Sequence, residues 1–327
     1  MAGRLKNLFS FAANPLLGLI IGILATAIIQ SSSATTSITV GLVASGIVSI
    51  NNAIPIIMGA NIGTTITNTL VSLTHITRKH EFQRAFPAAI MHDFFNVLTV
   101  LVVFPLELKF NLLERFSGFL AGVFADVGGA SISSPLKYII VPVNQQLIKL
   151  FGSVGWITLV FALVLLFASL KFLVDAMKAL TTRRLELIID RYLFGRPIQS
   201  FLIGLIMTSI IQSSSVTTSL IVPLIGAGIL TINKVFPYMV GANIGTTVTC
   251  LLAALSVGGP LGIQIAFAHF GFNLIGAAIW IPLKFVPINI SLLFGKLAGK
   301  NRVLAVIYIV MIFYIIPIAI FLISKLK

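Results

Sequence analysis

Charge is what this chain has least of: Asp, Glu, Lys and Arg make up 9% of its 327 residues, against about 25% in soluble domains. Acids are the scarcer kind, with 8 Asp and Glu against 22 Lys and Arg, a net charge of +14. So few charges cannot cover a water-facing surface, and a hydrophobic content of 58% with a mean hydropathy of +1.09 calls for lipid as solvent. The single cysteine, Cys250, excludes an intrachain disulfide and reads as a small packing residue. Neither Gly-x-Ser-x-Gly nor His-Glu-x-x-His occurs, so nothing points to a hydrolase, and the chain reads as a non-enzyme. Excess positive charge in a soluble protein would suggest nucleic acid. Here Lys171, Lys178, Arg183, Arg184, Arg191 and Arg196 cluster between apolar stretches, as do Arg78, Lys79 and Arg84. That is the pattern of cytoplasmic loops, and no nucleic-acid partner is expected.

Apolar segments of membrane-spanning character fall at 54–73, 86–106, 116–130, 136–152, 156–174, 234–255, 262–283 and 303–323, with 14–49 and 198–231 as two interrupted pairs. Met1 to Ala27 imitates a secretory signal, but the same apolar run recurs before Gln212, so it reads as part of the membrane domain.

What stands out against this background is polar. Gln30-Ser31-Ser32-Ser33 and Gln212-Ser213-Ser214-Ser215 each interrupt an apolar stretch, where unsatisfied hydrogen-bonding groups are costly. Gly59-Ala60-Asn61-Ile62-Gly63-Thr64-Thr65 returns unchanged at Gly241 to Thr247, and 212 − 30 and 243 − 61 both give 182. A constant offset across two motifs marks an internal repeat. His92 with Asn96 returns as His269 with Asn273 at an offset of 177, a loop about five residues shorter.

The runs before and after each tetrad are too short to cross about 30 Å of hydrocarbon alone, so each pair reads as two half-helices meeting at a polar tip, with Pro15 and Pro197 as helix starts. Such tips present hydroxyls, amides and free backbone N–H groups, and a helix start favours an anion. Thr35, Thr36, Thr217 and Thr218 flank the tips. The Gly-Ala-Asn-Ile-Gly-Thr-Thr segments read as unwound helix exposing oxygens from Thr64, Thr65 and Thr67, a donor set suited to an alkali cation. A close helix crossing at Gly-x-x-x-Gly is the competing reading. His92, Asn96, His269 and Asn273 read as hydrogen-bonding latches that support the site. Asp93, which only the first copy has, is a candidate for a sodium- or proton-linked charge.

The segments QSSSATTSITVGLVASGIVSI, AIPIIMGANIGTTITNTLVSL, AFPAAIMHDFFNVLTVLVVFPLE, QSSSVTTSLIVPLIGAGILTI, GANIGTTVTCLLAAL and QIAFAHFGFNLIGAAIWIP resemble, from about Asn14 to Pro282, the type II sodium–phosphate cotransporter family. The chain looks like a prokaryotic member. The resemblance implies an all-α integral membrane protein of two inverted repeats, each with a re-entrant hairpin and a broken helix, importing inorganic phosphate with sodium by alternating access. An uncoupled or export-direction anion transporter on the same fold is the alternative. By motif match, Gln30, Ser31, Ser32, Ser33, Gln212, Ser213, Ser214 and Ser215 would bind phosphate. Gln212, Ser213, Asn243, Thr246 and Thr249 would hold sodium, with Asn61, Thr64 and Thr67 as their mates, and Thr35 and Thr217 would support them. No cofactor is implied beyond sodium as coupling ion; the surroundings would be a cell membrane, inner or plasma, and a homodimer is left open. Ala242 departs from the serine common in animal relatives, and the long loop between repeats is short here.

The expected organisation is repeat 1 at 14–110 (hairpin 14–49, broken helix 54–73, helix 86–106), inter-repeat helices at 111–155, repeat 2 at 156–283 (leading helix 156–174, hairpin 198–231, broken helix 234–255, helix 262–283) and C-terminal helices at 284–327. The first copy has no leading helix before Asn14, either lost or upstream of the sequence start. With the basic 171–196 stretch inside, loop 256–261 falls outside and its mate, 74–84 with Arg78, Lys79 and Arg84, falls inside, as inverted repeats require.

Overall fold

In the computed structural model the described residues are 14–124, 142, 145–146, 193–257 and 259–325, and among them every regular element is helical. The expected spans at 136–152, apart from 142 and 145–146, and at 156–174, the part of 116–130 after Phe124, and the basic residues from Lys171 to Arg191 lie outside the described residues.

Pro15 opens α1 (Pro15–Ile29), with the Asn14 side chain accepting from the Leu16 amide at 2.9 Å, and α2 (Ser32–Ala44) follows across a two-residue break. Proline suits a first helical turn because its missing N–H would have had no partner there. After α3 (Ile50–Gly63) and α4 (Ile66–Leu73) comes the long α5 (Lys79–Phe110), then α6 (Leu112–Val123). The second half repeats the start: α7 (Pro197–Ile211), α8 (Ser214–Ser219), α9 (Ile221–Gly226), α10 (Ile232–Val257) and α11 (Pro260–Trp280). The chain closes with α12 (Phe285–Lys300), α13 (Val303–Val310), a π-helical turn at Met311–Ile315 and α14 (Ile316–Lys325).

Among the described residues five helical stretches are long and apolar enough to cross a bilayer, namely Ile50–Leu73, Lys79–Phe110, Ile232–Ser256, Pro260–Trp280 and Val303–Ser324, and the protein is a multi-pass membrane protein. The Val303–Ser324 stretch keeps only 22% of its apolar window inside the protein, as a lipid-facing helix does.

Two equivalent crossings carry the architecture: α1 on α3 and α7 on α10. Both are made by glycine. A Cβ on Gly59 would overlap the Leu19 carbonyl and one on Gly22 the Ile56 carbonyl; Gly241 and Gly204 stand likewise against the carbonyls of Phe201 and Tyr238. Dispersion contact at such short range replaces the hydrophobic drive that lipid does not supply.

Here two expectations are corrected. The first Gly-Ala-Asn-Ile-Gly-Thr-Thr does interrupt its helix, between Gly63 and Ile66, but the second lies inside an unbroken α10, so 234–255 is not a broken helix. The difference follows the threonines. Thr65 and Thr247 alike donate back to the carbonyl three residues before, but Thr246 Oγ1 donates back to Ala242 O at 3.1 Å within its own helix, whereas Thr64 Oγ1 turns sideways to other elements. The glycines, read from sequence as signs of unwinding, are packing surfaces in both copies.

Candidate functional site

Each break between half-helices is built the same way. Gln30 and Gln212 stand in the left-handed region, φ 59° in both, and their amides close the preceding helices onto Thr26 O at 2.7 Å and Thr208 O at 2.6 Å. Ser31 and Ser213 are extended and become N-caps, their hydroxyl oxygens accepting from Ala34 N at 3.2 Å and Val216 N at 3.4 Å. The first bonds within the new helices are Thr35 N to Ser31 O and Thr217 N to Ser213 O, so the amides of Ser32, Ser33, Ser214 and Ser215 lie outside the helical ladder. The breaks are pinned from behind by hydroxyl pairs: Thr26 Oγ1 donates to Thr35 Oγ1 at 3.0 Å, and Thr208 and Thr217 pair at 2.7 Å.

The two tips meet. Ser33 Oγ donates to Gln212 O at 3.0 Å, and Thr64 Oγ1 lies 3.1 Å from Ser32 Oγ and 3.2 Å from Ser215 Oγ, joining both tetrads and the break after α3. Thr67 Oγ1 is 3.4 Å from Gln30 Oε1. Ser32 and Ser214 are buried, while the other six tetrad residues are partly open. Two helix N-termini therefore converge on one partly accessible region, with the positive ends of their peptide dipoles toward it. Such a place can hold an anion by neutral donors.

Behind the tips lies a fully buried amide and imidazole network. Thr218 Oγ1 donates to Asn68 Oδ1 at 2.9 Å, which leaves Asn68 Nδ2 facing His92 Nδ1 at 3.2 Å. His92 Nδ1 is then the acceptor and Nε2 carries the hydrogen, donating to Asn243 Oδ1 at 2.8 Å. Asn243 Nδ2 donates to Asn96 Oδ1 at 2.8 Å and Asn96 Nδ2 to Asn61 O at 2.7 Å. In the other half, His269 Nε2 reaches Asn61 Oδ1 at 3.4 Å and Asn273 Nδ2 donates to Asn243 O at 3.1 Å. Asn61, Asn96, Asn243 and Asn273 are thus tied into cross-half latches.

Of the residues expected around a cation, Gln212, Ser213, Thr64 and Thr67 come together at the tips. Thr246 Oγ1 is tied to its own helix, and Thr249 Oγ1 is buried without a hydrogen-bond partner. Among the described residues no three His, Cys, Asp or Glu side chains gather as a metal group, and the atoms at the tips are oxygens and amides. That set suits a hard monovalent cation better than a transition metal.

Sequence reasoning passed over Asn68, Thr26, Thr208 and Tyr308. Thr26 and Thr208 could have been found, since 208 − 26 is also 182. Asn68 could not be found that way, because its counterpart at the same offset is Cys250. Tyr308 lies outside the repeat, and only the fold brings its hydroxyl to Asp93 Oδ2, at 2.9 Å.

Comparison with known proteins adds two findings. A family profile described as Na+/Pi-cotransporter matches residues 1–112 and 165–313. The chain is 33% identical over 417 residues to sodium-dependent phosphate transport protein 2B of Homo sapiens, covering 98% of this chain and 60% of the relative. It is 33% identical over 401 residues to sodium-dependent phosphate transport protein 2A of Rattus norvegicus, covering 99% of this chain and 63% of the relative. The chain therefore spans less than two thirds of the length of these relatives. No solved structure matches.

Proposed function

The chain belongs to the Na+/Pi-cotransporter family, and from that premise we propose that it imports inorganic phosphate together with sodium by alternating access. The observation that carries this reading is the meeting of the two Gln-Ser-Ser-Ser breaks through Ser33, Gln212 and the Ser32–Thr64–Ser215 bridge. Phosphate would bind between Gln30, Ser31, Ser32, Ser33, Gln212, Ser213, Ser214 and Ser215, taking hydrogen bonds from the Ser32, Ser33, Ser214 and Ser215 amides and from the serine hydroxyls. All these donors are neutral, so co-bound sodium offsets the charge of the anion. Sodium would sit beside the second tip, with Gln212, Ser213 and the unpartnered hydroxyl of Thr249 as oxygens and Thr67 with Gln30 as the mirrored set. Asn61 and Asn243 keep their latches and shape the site from behind. Asp93 supplies a fully buried acid in the first half, beside the same break.

The two halves are read as inverted repeats whose half-helix pairs, 14–49 and 198–231, enter the membrane from opposite faces and stop at the midplane. Contacts at the bases of the pairs, away from their tips, support this. Arg84, in the loop and helix start expected inside, donates from Nε at 2.9 Å and Nη2 at 2.7 Å to Gly226 O, at the base of the second pair. Gly262, after the loop expected outside, packs against Val40 and Ala44 at the base of the first. Sodium binding would organise the second tip before phosphate finds a complete set of donors.

The test is uptake of labelled phosphate into vesicles holding the purified protein. Uptake that depends on sodium and collapses when potassium replaces it supports the proposal. Uptake indifferent to that exchange, following the phosphate gradient alone, would overturn it in favour of the uncoupled alternative.

A further inference from the structure

Asp93 is fully buried on α5, and its two carboxylate oxygens are treated differently. Oδ2 accepts from Tyr308 OH at 2.9 Å and from Thr69 Oγ1 at 3.3 Å; the Thr65 hydroxyl also faces the carboxylate but is turned to Ile62 O at 2.8 Å, and Oδ1 is left without a hydrogen bond of its own. Among the described residues no basic side chain forms an ion pair with it. A carboxylate at membrane depth is costly without a partner, so an oxygen left bare while its twin is doubly bonded is an oxygen kept for something else.

Tyr308 comes from α13, outside the repeated part of the chain, and its ring is fixed on three sides. Phe86 meets it edge-on at 6.1 Å, Phe294 at 5.8 Å, and Phe94 at 6.3 Å with a tilt of 48°. An apolar cavity of about 280 Å³ lies along the same ring, lined by Phe86, Leu297 and Met311 among others. Just beyond Tyr308 the helix widens into the π-turn of Met311–Ile315, a distortion that recurs at functional sites. A phenol so held has one polar atom and one place to put it.

We infer that Tyr308 is a positioning residue for the transported cation: it fixes the Asp93 carboxylate through Oδ2 and so holds Oδ1 ready for sodium, making the C-terminal α13 part of the ion-coupling machinery. This rests on the reading of Asp93 as a sodium-linked acid. The hydroxyl also lowers the cost of the buried charge while sodium is absent, because a hydrogen bond to an ionised group is among the stronger ones available. Without it the carboxylate can rotate and spread both oxygens over Thr69 and its own helix.

Phosphate uptake against sodium concentration in reconstituted vesicles decides this for Tyr308→Phe, Asp93→Asn and the double variant. The expected result is a rise of roughly tenfold to a hundredfold in the half-saturating sodium concentration for Tyr308→Phe, the range for loss of one hydrogen bond to a charged group. Phosphate KM and the rate at saturating sodium should stay near their original values, which a general loosening of the fold would not allow. The double variant should match Asp93→Asn, because the hydroxyl then has no charged oxygen to fix. If Asp93→Asn shifts the sodium curve and Tyr308→Phe does not, or if their effects add, the positioning role is wrong while the reading of Asp93 stands. If neither shifts it, both fall. Should Tyr308→Phe fail to assemble, Tyr308→Trp, which keeps a ring but moves the donor, must give the same shift.

Discussion

Asn68 and Cys250 hold the same place in the two halves, 250 − 68 being 182, yet only Asn68 binds a histidine: its Nδ2 faces His92 Nδ1 at 3.2 Å, while His269 Nδ1 is buried with no hydrogen-bond partner. One half of the molecule is wired from Thr218 through Asn68 and His92 to Asn243, and the other is cut at Cys250. Asn68→Cys should therefore leave His92 Nδ1 without a partner, with Thr218 Oγ1 falling back on Ser214 O, and cost about 2 kcal/mol, the range for a buried group left unsatisfied. A thermal melt of the purified protein in detergent measures it, and an unchanged melting temperature would remove the wire from the account.

The glycine crossings should be intolerant of a single methyl group. Gly59→Ala and Gly241→Ala each drive a Cβ into a facing carbonyl on α1 or α7, so a loss of about 3 kcal/mol is expected. Gly41→Ala, where nothing lies within 4 Å of the added carbon, should instead stabilise the helix by about 0.5 kcal/mol. Equal effects at Gly41 and Gly59 would show that backbone freedom, not close approach, sets these residues.

Arg84 holds the base of the second half-helix pair by two donors on one carbonyl, a geometry a lysine ammonium cannot copy. In Arg84→Lys that base should open more often. Since Cys250 is the single thiol and is buried, a cysteine introduced at Ala227 reports opening on a clean background. Labelling at position 227 should be several-fold faster in the Arg84→Lys variant than in the protein that keeps Arg84, and equal rates would mean that the clamp does not gate this end.

The tips should be unequal. Thr249, which holds the place of Thr67 in the second half, keeps an unpartnered hydroxyl, whereas the Thr67 hydroxyl is already turned to Gln30. Gln212→Ala should therefore raise the sodium needed for half-maximal phosphate uptake by about tenfold, and Gln30→Ala by clearly less. Ser32→Ala and Ser214→Ala should both act mainly on phosphate KM. A reversed order for the glutamines would place the cation at the first tip.

What could be read in advance was whatever repeats. The tetrads, the prolines that open α1 and α7, and the glycine segments announce themselves by one offset, and the break at Gln30–Ser31 follows from apolar runs too short to cross. The continuity of α10 was not legible, because Thr246 and Thr64 have identical neighbours in sequence. Whether a threonine bonds backward along its helix or sideways depends on what stands beside it, here Ser32 and Ser215. Arg84 on Gly226 and Tyr308 on Asp93 were hidden for the same reason, each joining positions more than 140 residues apart.

Gln30 and Gln212 occupy a left-handed backbone that glycine adopts freely and that other residues take at a cost of about 1 kcal/mol or more. A chain selected for rigidity alone would carry glycine at both turns. That it carries glutamine twice means that the site draws on the stability of the fold. Gln30→Gly or Gln212→Gly would then give a firmer protein and a poorer transporter, the trade a working site imposes on the scaffold that bears it.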